Sequence, residues 1–281
     1  MAEDSKISHI SDTALMVAAC RALETERPDG MVRDPFARRL AGERGTAIAN
    51  ALPDVGIMCF GVGMRSRFLD DLLLEAVKTH PIEVVVCLGA GLDCRPWRLD
   101  LPSTLRWIEV DFPAILDYKA QLMHGEEPKC LIERMAVDLN NAVERRELYT
   151  AVGPGAGLLI AEGLLLYLSN ETACALATEP PTMSGLRYFL VDMTSAEFQR
   201  RSGTNKSIQH VVAETGLNGE QIHSLFGSTG WATLARRSYV YDVLSIARER
   251  ILKIMRGQAG SAPMPPPPKD DISGVYLFGR S

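Results

Sequence analysis

The chain of 281 residues has no lysine or arginine run long enough to track a phosphate backbone, and its formal net charge is −5. Nucleic acid is therefore not the expected partner. Its six cysteines (Cys20, Cys59, Cys87, Cys94, Cys130 and Cys174) include no C-x-x-C pair, and its five histidines show no H-x-x-x-H spacing. No metal site is expected, and the cysteines read as small buried hydrophobes or free thiols in a reducing compartment. Long hydrophobic runs are missing too. The longest, 157–168, is too short to span a bilayer and is interrupted by Glu162. The opening MAEDSKISHISD is polar and acidic, without the basic-then-apolar pattern of a signal peptide. The expectation is a cytoplasmic protein with no membrane partner. No internal repeat is found.

What remains is ordinary globular composition, 46% hydrophobic and 23% charged, enough for a full core. Residues 12–80 read as helical: Asp12 as a cap, Arg33-Asp34-Pro35-Phe36 as a second helix start, and a long helix from Gly63 to Lys78 stopped by Pro81. Strands and helices then alternate. Strands are predicted at 84–88, 105–110, 131–137, 157–162, 187–193, 233–240 and 274–279. Helices are predicted near 113–123, 142–150, 170–178, 195–201, 217–227 and 243–256. That alternation is the signature of a mostly parallel α/β sheet. The proline run 263–268 reads as a surface linker before the last strand. The domain expectation is one unit over 1–281, with a helical cap (12–80) on a core whose C-terminal segments cover the substrate.

The chemistry starts where Val84-Val85-Val86-Cys87-Leu88 opens into Gly89-Ala90-Gly91. Glu109 and Asp111 follow about twenty residues later at the end of a second apolar run. A strand, a glycine turn and an acid-tipped strand are how a doubly wound sheet receives a nucleoside. The third glycine of the dinucleotide fingerprint would fall at Cys94, and no Tyr-x-x-x-Lys pair is present. An adenosyl ligand without pyrophosphate, S-adenosylmethionine, is favoured over NAD. Glu162 interrupts an apolar run, where an unpaired charge would cost several kcal/mol. It calls for either a ligand contact or an internal arginine. Asp138, before Leu139-Asn140-Asn141, is a ligand carboxylate or a helix cap.

Five motifs stand in order: Arg65-Ser66-Arg67; Val85-Val-Cys-Leu-Gly-Ala-Gly-Leu-Asp-Cys-Arg-Pro-Trp-Arg-Leu99; Trp107-Ile-Glu-Val-Asp-Phe-Pro113; Val137-Asp138-Leu139; and Leu159-Ile-Ala-Glu-Gly-Leu-Leu-Leu-Tyr-Leu168. In this the chain resembles the leucine carboxyl methyltransferase family over most of residues 12–170, with a similar final strand at Val275-Tyr-Leu-Phe-Gly-Arg280. It is most similar to bacterial members, some of which methylate carboxyl groups of aromatic polyketides. The resemblance implies a doubly wound, seven-stranded, Rossmann-like sheet with an N-terminal helical cap and an antiparallel last strand. It also implies S-adenosylmethionine as cofactor. It places Gly89 and Gly91 against the methionine portion, Asp111 on the ribose, Asp138 and Leu139 on the adenine, Glu162 on the cofactor and Arg65 on its carboxylate. Arg21 is the nearest basic residue to the family's N-terminal cofactor-binding lysine. Cys94 departs from the small hydroxyl residue frequent there. Arg67 and Tyr167 are positioning candidates, with a surface pair and a core aromatic as the plainer readings. Arg95 and Arg98 read as structural.

A carboxylate with a pKa near ~4 is ionised at neutral pH and needs no general base. No His/Asp base pair is evident, and His210 and His223 are the only candidate bases in the C-terminal half. The expected function is therefore formation of a methyl ester on a small-molecule acid, such as a secondary metabolite. Phenol or alcohol methylation, an NAD(P)-linked oxidoreductase, and cofactor binding without catalysis are the alternatives. The sequence does not speak to oligomeric state.

Overall fold

The structure, a computed structural model, describes residues 10–202, 217–257 and 271–280. His210 and the proline run lie outside the described residues. Seven strands form one sheet: β1 (Val84–Leu88), β2 (Arg106–Asp111), β3 (Leu131–Ala136), β4 (Gly157–Ala161), β5 (Leu186–Met193), β6 (Ala232–Ser238) and β7 (Gly274–Gly279). Their spatial order is β3-β2-β1-β4-β5-β7-β6. The first five run parallel, and β7 lies antiparallel between β5 and β6. The central strands β1 (VVVCL) and β4 (GLLIA) are buried throughout, which is why they read as continuous apolar runs without alternation.

The helices are α1 (Ile10–Glu26), α2 (Ala37–Asn50), α3 (Val55–Thr79), α4 (Arg95–Arg98), α5 (Pro113–Leu122) and α6 (Ala142–Val152). After them come α7 (Asn170–Thr178), α8 (Pro180–Met183), α9 (Ala196–Ser202), α10 (Gly219–Ser228) and α11 (Asp242–Gly257). One sheet face, through Val86, Val110, Leu159 and Phe189, packs with Leu148, Leu176 and Phe226 of α6, α7 and α10. The other, through Val85, Trp107, Ile160 and Leu190, packs with Phe68, Leu69, Leu72 and Leu73 of α3. Each such buried side chain contributes on the order of 1.5–3 kcal/mol.

Three expectations about the cap need correction. The helix expected from Gly63 starts at Val55. Gly63 lies inside the helix at a close-approach point, where an added Cβ would lie 2.8 Å from Glu24 Cγ of α1. Asp12 is not the cap of α1, which begins two residues earlier. Its carboxylate pairs with Arg44 of α2 at 2.7 Å. Asp34 accepts from the Phe36 N–H at 3.1 Å in a turn, and α2 starts only at Ala37, with Arg21 taking the other Asp34 oxygen. Among the described residues, no helix is long and apolar enough to cross a membrane, and no cluster could hold a metal ion.

Candidate functional site

From β1 the chain crosses to β2 on one side, while β4 pairs with β1 on the other. The carboxyl ends of β1 and β4 therefore flank the point where strand order reverses, the usual crevice for a ligand in an open α/β sheet. The turn leaving β1 carries Gly89 at φ +60° and Gly91 at φ +46°, a region where side chains are strained. A Cβ on Gly89 would also fall 2.9 Å from Leu164 Cδ1.

Asp111, the last residue of β2, ties this turn down. Its Oδ2 accepts from the Gly91 N–H and its Oδ1 from the Phe112 N–H, both at 2.7 Å. Burial pushes its carboxyl above the usual range, and the two N–H groups oppose that only in part. Each oxygen retains a lone pair, so the carboxylate can still accept from two hydroxyls. Glu109, two residues earlier on the same face, is fully buried and taken by Lys119 at 2.5 Å and Arg134 at 3.0 Å. It is a supporting residue.

Beyond β3, Asp138 Oδ1 accepts from the backbone and side-chain N–H groups of Asn140, at 2.9 and 3.2 Å. The cap of α6 is Asn141, which accepts from the Val143 N–H at 2.9 Å. Asp138 is therefore not the cap. The buried Leu139 keeps its carbonyl on Arg145 at 2.8 Å, and nothing among the described residues accepts from its N–H.

At the end of β4, Glu162 is held by two arginines. Its Oε1 accepts from Arg65 Nε at 3.0 Å and its Oε2 pairs with Arg95 Nη1 at 2.8 Å. Burial opposes ionisation, but the Arg95 and Arg65 guanidinium groups prevail and hold Glu162 below the usual carboxylate range. Arg95, which sequence reasoning set aside as structural, also binds Asp70 and Asp93, each at 2.7 Å, and Arg98 closes on Asp70 at 2.6 Å. Arg65 lies against Gly163, where a Cβ would come within 2.8 Å of its Nη1, and Gly163 has φ +59°. That Nη1 stands 3.7 Å from Asp192 of β5. Asp192 accepts from the Gly163 N–H at 2.5 Å, and burial raises its pKa despite Arg65.

The remaining candidates fall in different places. Tyr167 ends a 3-10 turn (Leu165–Tyr167), bonds to Thr13 of α1 and lies within the fields of Arg65 and Asp192. Arg21 is buried behind the glycine turn, with Nε on Asp34 at 2.9 Å and Nη2 on the Leu92 carbonyl at 2.6 Å. It braces the turn. Arg67 is half-exposed and pairs with Asp71 at 2.9 Å, the surface pair that is its plainer reading. Cys94, buried, offers only a 3.8 Å contact to the Leu92 carbonyl. His223 lies exposed on α10, edge-on to Tyr276, across the sheet from Glu162. It cannot serve as a base in this crevice. Sequence reasoning missed Asp192. Asp192 carried a usable signal, a charge at the tip of an apolar strand, as Glu162 does.

A seven-stranded sheet in this order, with a glycine turn and an acidic β2 tip, is the architecture of class I methyltransferases. A profile described as leucine carboxyl methyltransferase matches residues 14–179, and the chain belongs to that family. A provisionally named S-adenosyl-L-methionine-dependent methyltransferase of Streptomyces avermitilis is 38% identical, over 57% of this chain and 60% of that protein. One from Mycobacterium tuberculosis strain H37Rv is 34% identical over 63% and 64%. The chain thus spans about three-fifths of the length of these relatives. Among solved structures, a provisionally named methyltransferase from Thermobifida fusca superimposes with a TM-score of 0.57 at 14% identity, covering 98% of this chain and 95% of that one. A DUF574 family protein from Streptomyces avermitilis gives 0.55 at 13%, covering 94% and 97%. Both likenesses concern the fold.

The family implies S-adenosylmethionine as cofactor, and the residues present fit it. Two left-handed glycines admit a ligand close to the backbone, Asp111 retains acceptor capacity, and the Leu139 N–H lacks an acceptor among the described residues. Arg65 spends only Nε on a hydrogen bond there, leaving its terminal nitrogens for an anion.

Proposed function

We propose that this chain is an S-adenosylmethionine-dependent O-methyltransferase that forms a methyl ester on the carboxylate of a small molecule. The observation carrying the carboxyl reading is the absence of a histidine in the crevice among the described residues. His80 and His124 sit toward the amino ends of the strands, and His223 lies across the sheet. A carboxylate acceptor, ionised at neutral pH, needs no base. The family description supports the same choice.

When bound, the cofactor supplies an electrophilic methyl group. The chain's part is binding, alignment and exclusion of water. Asp111 would accept the ribose hydroxyls, and Asp138 with the Leu139 N–H would meet the adenine edge. The terminal nitrogens of Arg65 would take the methionine carboxylate, a bidentate match. Glu162, kept ionised by Arg95, fixes the Arg65 fork and presents negative charge to the amino group. Gly89 and Gly91 let the ligand lie against the turn, while Arg21 holds the turn from behind. A secondary-metabolite acid, such as an aromatic polyketide, is the acceptor class this reading favours. Phenol or alcohol methylation is the second reading, favoured by Asp192, a buried carboxyl with a raised pKa that could take a proton.

The test uses methyl-labelled S-adenosylmethionine with a panel of small carboxylic acids and phenols. The expected product loses its label as methanol in base, and its rate of formation stays near maximal down to about pH 6, well above an ordinary carboxyl pKa. A base-stable product, with a rate rising through neutral pH, would establish the hydroxyl reading. Binding without transfer to any acid or phenol would leave a cofactor-binding protein.

A further inference from the structure

Tyr239, directly after β6, is 6% exposed, and its hydroxyl is buried without a hydrogen-bond partner among the described residues. A buried orphan hydroxyl is costly enough to need an explanation; Tyr149 Oη is another, but Tyr239 is the one that stands near Arg65 and Glu162, where a ligand is one such explanation. Its surroundings say which ligand. The ring stacks on Phe68 of α3, with centroids 6.1 Å apart and planes 10° from parallel, and Phe68 lies one helical turn from Arg65. Phe198 of α9 makes a tilted contact with the same ring, centroids 5.9 Å apart. The Tyr239 backbone N–H bonds the Ser273 carbonyl at 3.0 Å, which fixes the residue beside β7. Tyr239 packs on the same sheet face as Leu190 and Val275, the face onto which Asp192 projects. The charged groups acting on its hydroxyl are Asp192, Arg65 and Glu162, and burial holds the phenol far above its ordinary range.

We propose that Tyr239 is a carboxylate-binding residue of this site, its Oη donating to a carboxylate that the Arg65 guanidinium also faces. Two carboxylates could occupy that position, the methyl acceptor's and the cofactor's own. Position across the sheet favours the acceptor's. On the proposed reading Asp138 and Asp111 would hold the nucleoside over β3 and β2, and the glycine turn and Glu162 the reacting end over β1 and β4, while Tyr239 follows β6, beyond β5 and β7 in the strand order. The assignment rests on the methyltransferase reading, and it adds the residue that would select an anionic acceptor.

Tyr239→Phe removes only the hydroxyl and keeps the Phe68 stack. Calorimetry is run on both proteins with three probes: S-adenosylhomocysteine, 5′-methylthioadenosine (which lacks the amino-acid tail), and benzoate added to protein saturated with S-adenosylhomocysteine. The expected result is a benzoate affinity reduced roughly tenfold or more, the loss of a hydrogen bond to a charged group, with both nucleosides unchanged. Weaker S-adenosylhomocysteine binding with unchanged 5′-methylthioadenosine binding would keep the proposal and assign the carboxylate to the cofactor. Unchanged affinity for all three probes would overturn it, as would benzoate binding that is undetectable in the unmutated protein when Tyr239→Phe leaves S-adenosylhomocysteine binding unchanged. Weakened 5′-methylthioadenosine binding would overturn it too, because that probe has no carboxylate. The variant should melt no lower than the unmutated protein, since the orphan group is gone; a lower melting temperature would mean an internal partner and sink the idea. Failure of the unmutated chain to bind S-adenosylhomocysteine is a separate result, one that removes the cofactor reading itself.

Discussion

Asp111 shows how much one side chain carries here, because the same carboxylate that would meet the ribose also anchors the Gly91 and Phe112 N–H groups. Asp111→Ala should weaken S-adenosylhomocysteine binding by about 1.5–3 kcal/mol, the worth of hydrogen bonds to a charged group. Titration calorimetry on a variant with an unchanged circular dichroism spectrum checks this. Undiminished affinity would move the ribose contact elsewhere, though not to Glu109, whose oxygens are occupied by Lys119 and Arg134. At this scale the sequence was legible where a charge broke an apolar run. Glu162 stands out that way and calls for a partner, although nothing local names Arg65 and Arg95 together. Asp192 gave the same signal at the end of Tyr-Phe-Leu-Val-Asp and was passed over. Tyr239 gave none, since Arg-Arg-Ser-Tyr-Val-Tyr looks like any strand exit and only tertiary packing orphans its hydroxyl.

Among the elements, one link between the helical cap and the C-terminal part is a buried fork. Arg250 of α11 donates from both terminal nitrogens to Glu24 of α1, at 2.7 Å from Nη1 and 2.5 Å from Nη2, with the Glu24 side chain wholly inaccessible. The guanidinium also lies 4.7 Å from the Phe60 ring centroid of α3. Arg250→Ala leaves Glu24 charged and buried, and should cost about 3–5 kcal/mol. The double variant Glu24→Gln with Arg250→Met should recover most of that loss. Urea unfolding of the three proteins decides it, and a single variant within about 0.5 kcal/mol of the unmutated protein would make the pair incidental. The strands β1, β4, β5 and β7 were legible because apolar runs of four to eight residues punctuated by glycine and proline have few other readings. The helices α4 and α8 were not, being four residues each and shorter than the period that reveals a helix. The start of α3 lies eight residues before the expected one, and the glycine inside it, Gly63, is where α1 packs closely.

For the molecule as a whole, ligand and stability are linked. A ligand bound only by the folded chain adds about 2.7 kcal/mol at a hundredfold excess over its Kd, a rise of roughly 5 °C or more in melting temperature for a chain of this size. S-adenosylhomocysteine should produce that rise, and NAD at the same concentration should produce none. A scan with the reverse preference would refute the inference from glycine turn to cofactor. The strand order has a further consequence, in time. β7 is the last of the seven strands in the chain, yet it is the one that joins β5 to β6. While a ribosome makes the roughly eighty residues between Met193 and Gly274, on the order of 4–16 s at ~5–20 residues per second, β5 has its hydrogen-bonding edge open. Phe189, Leu190 and Val191, which face Phe278, Leu277 and Tyr276 in the finished ladder, have no strand partner on that edge during the interval. The nascent protein is therefore most exposed to wrong pairing after most of its core is already synthesised.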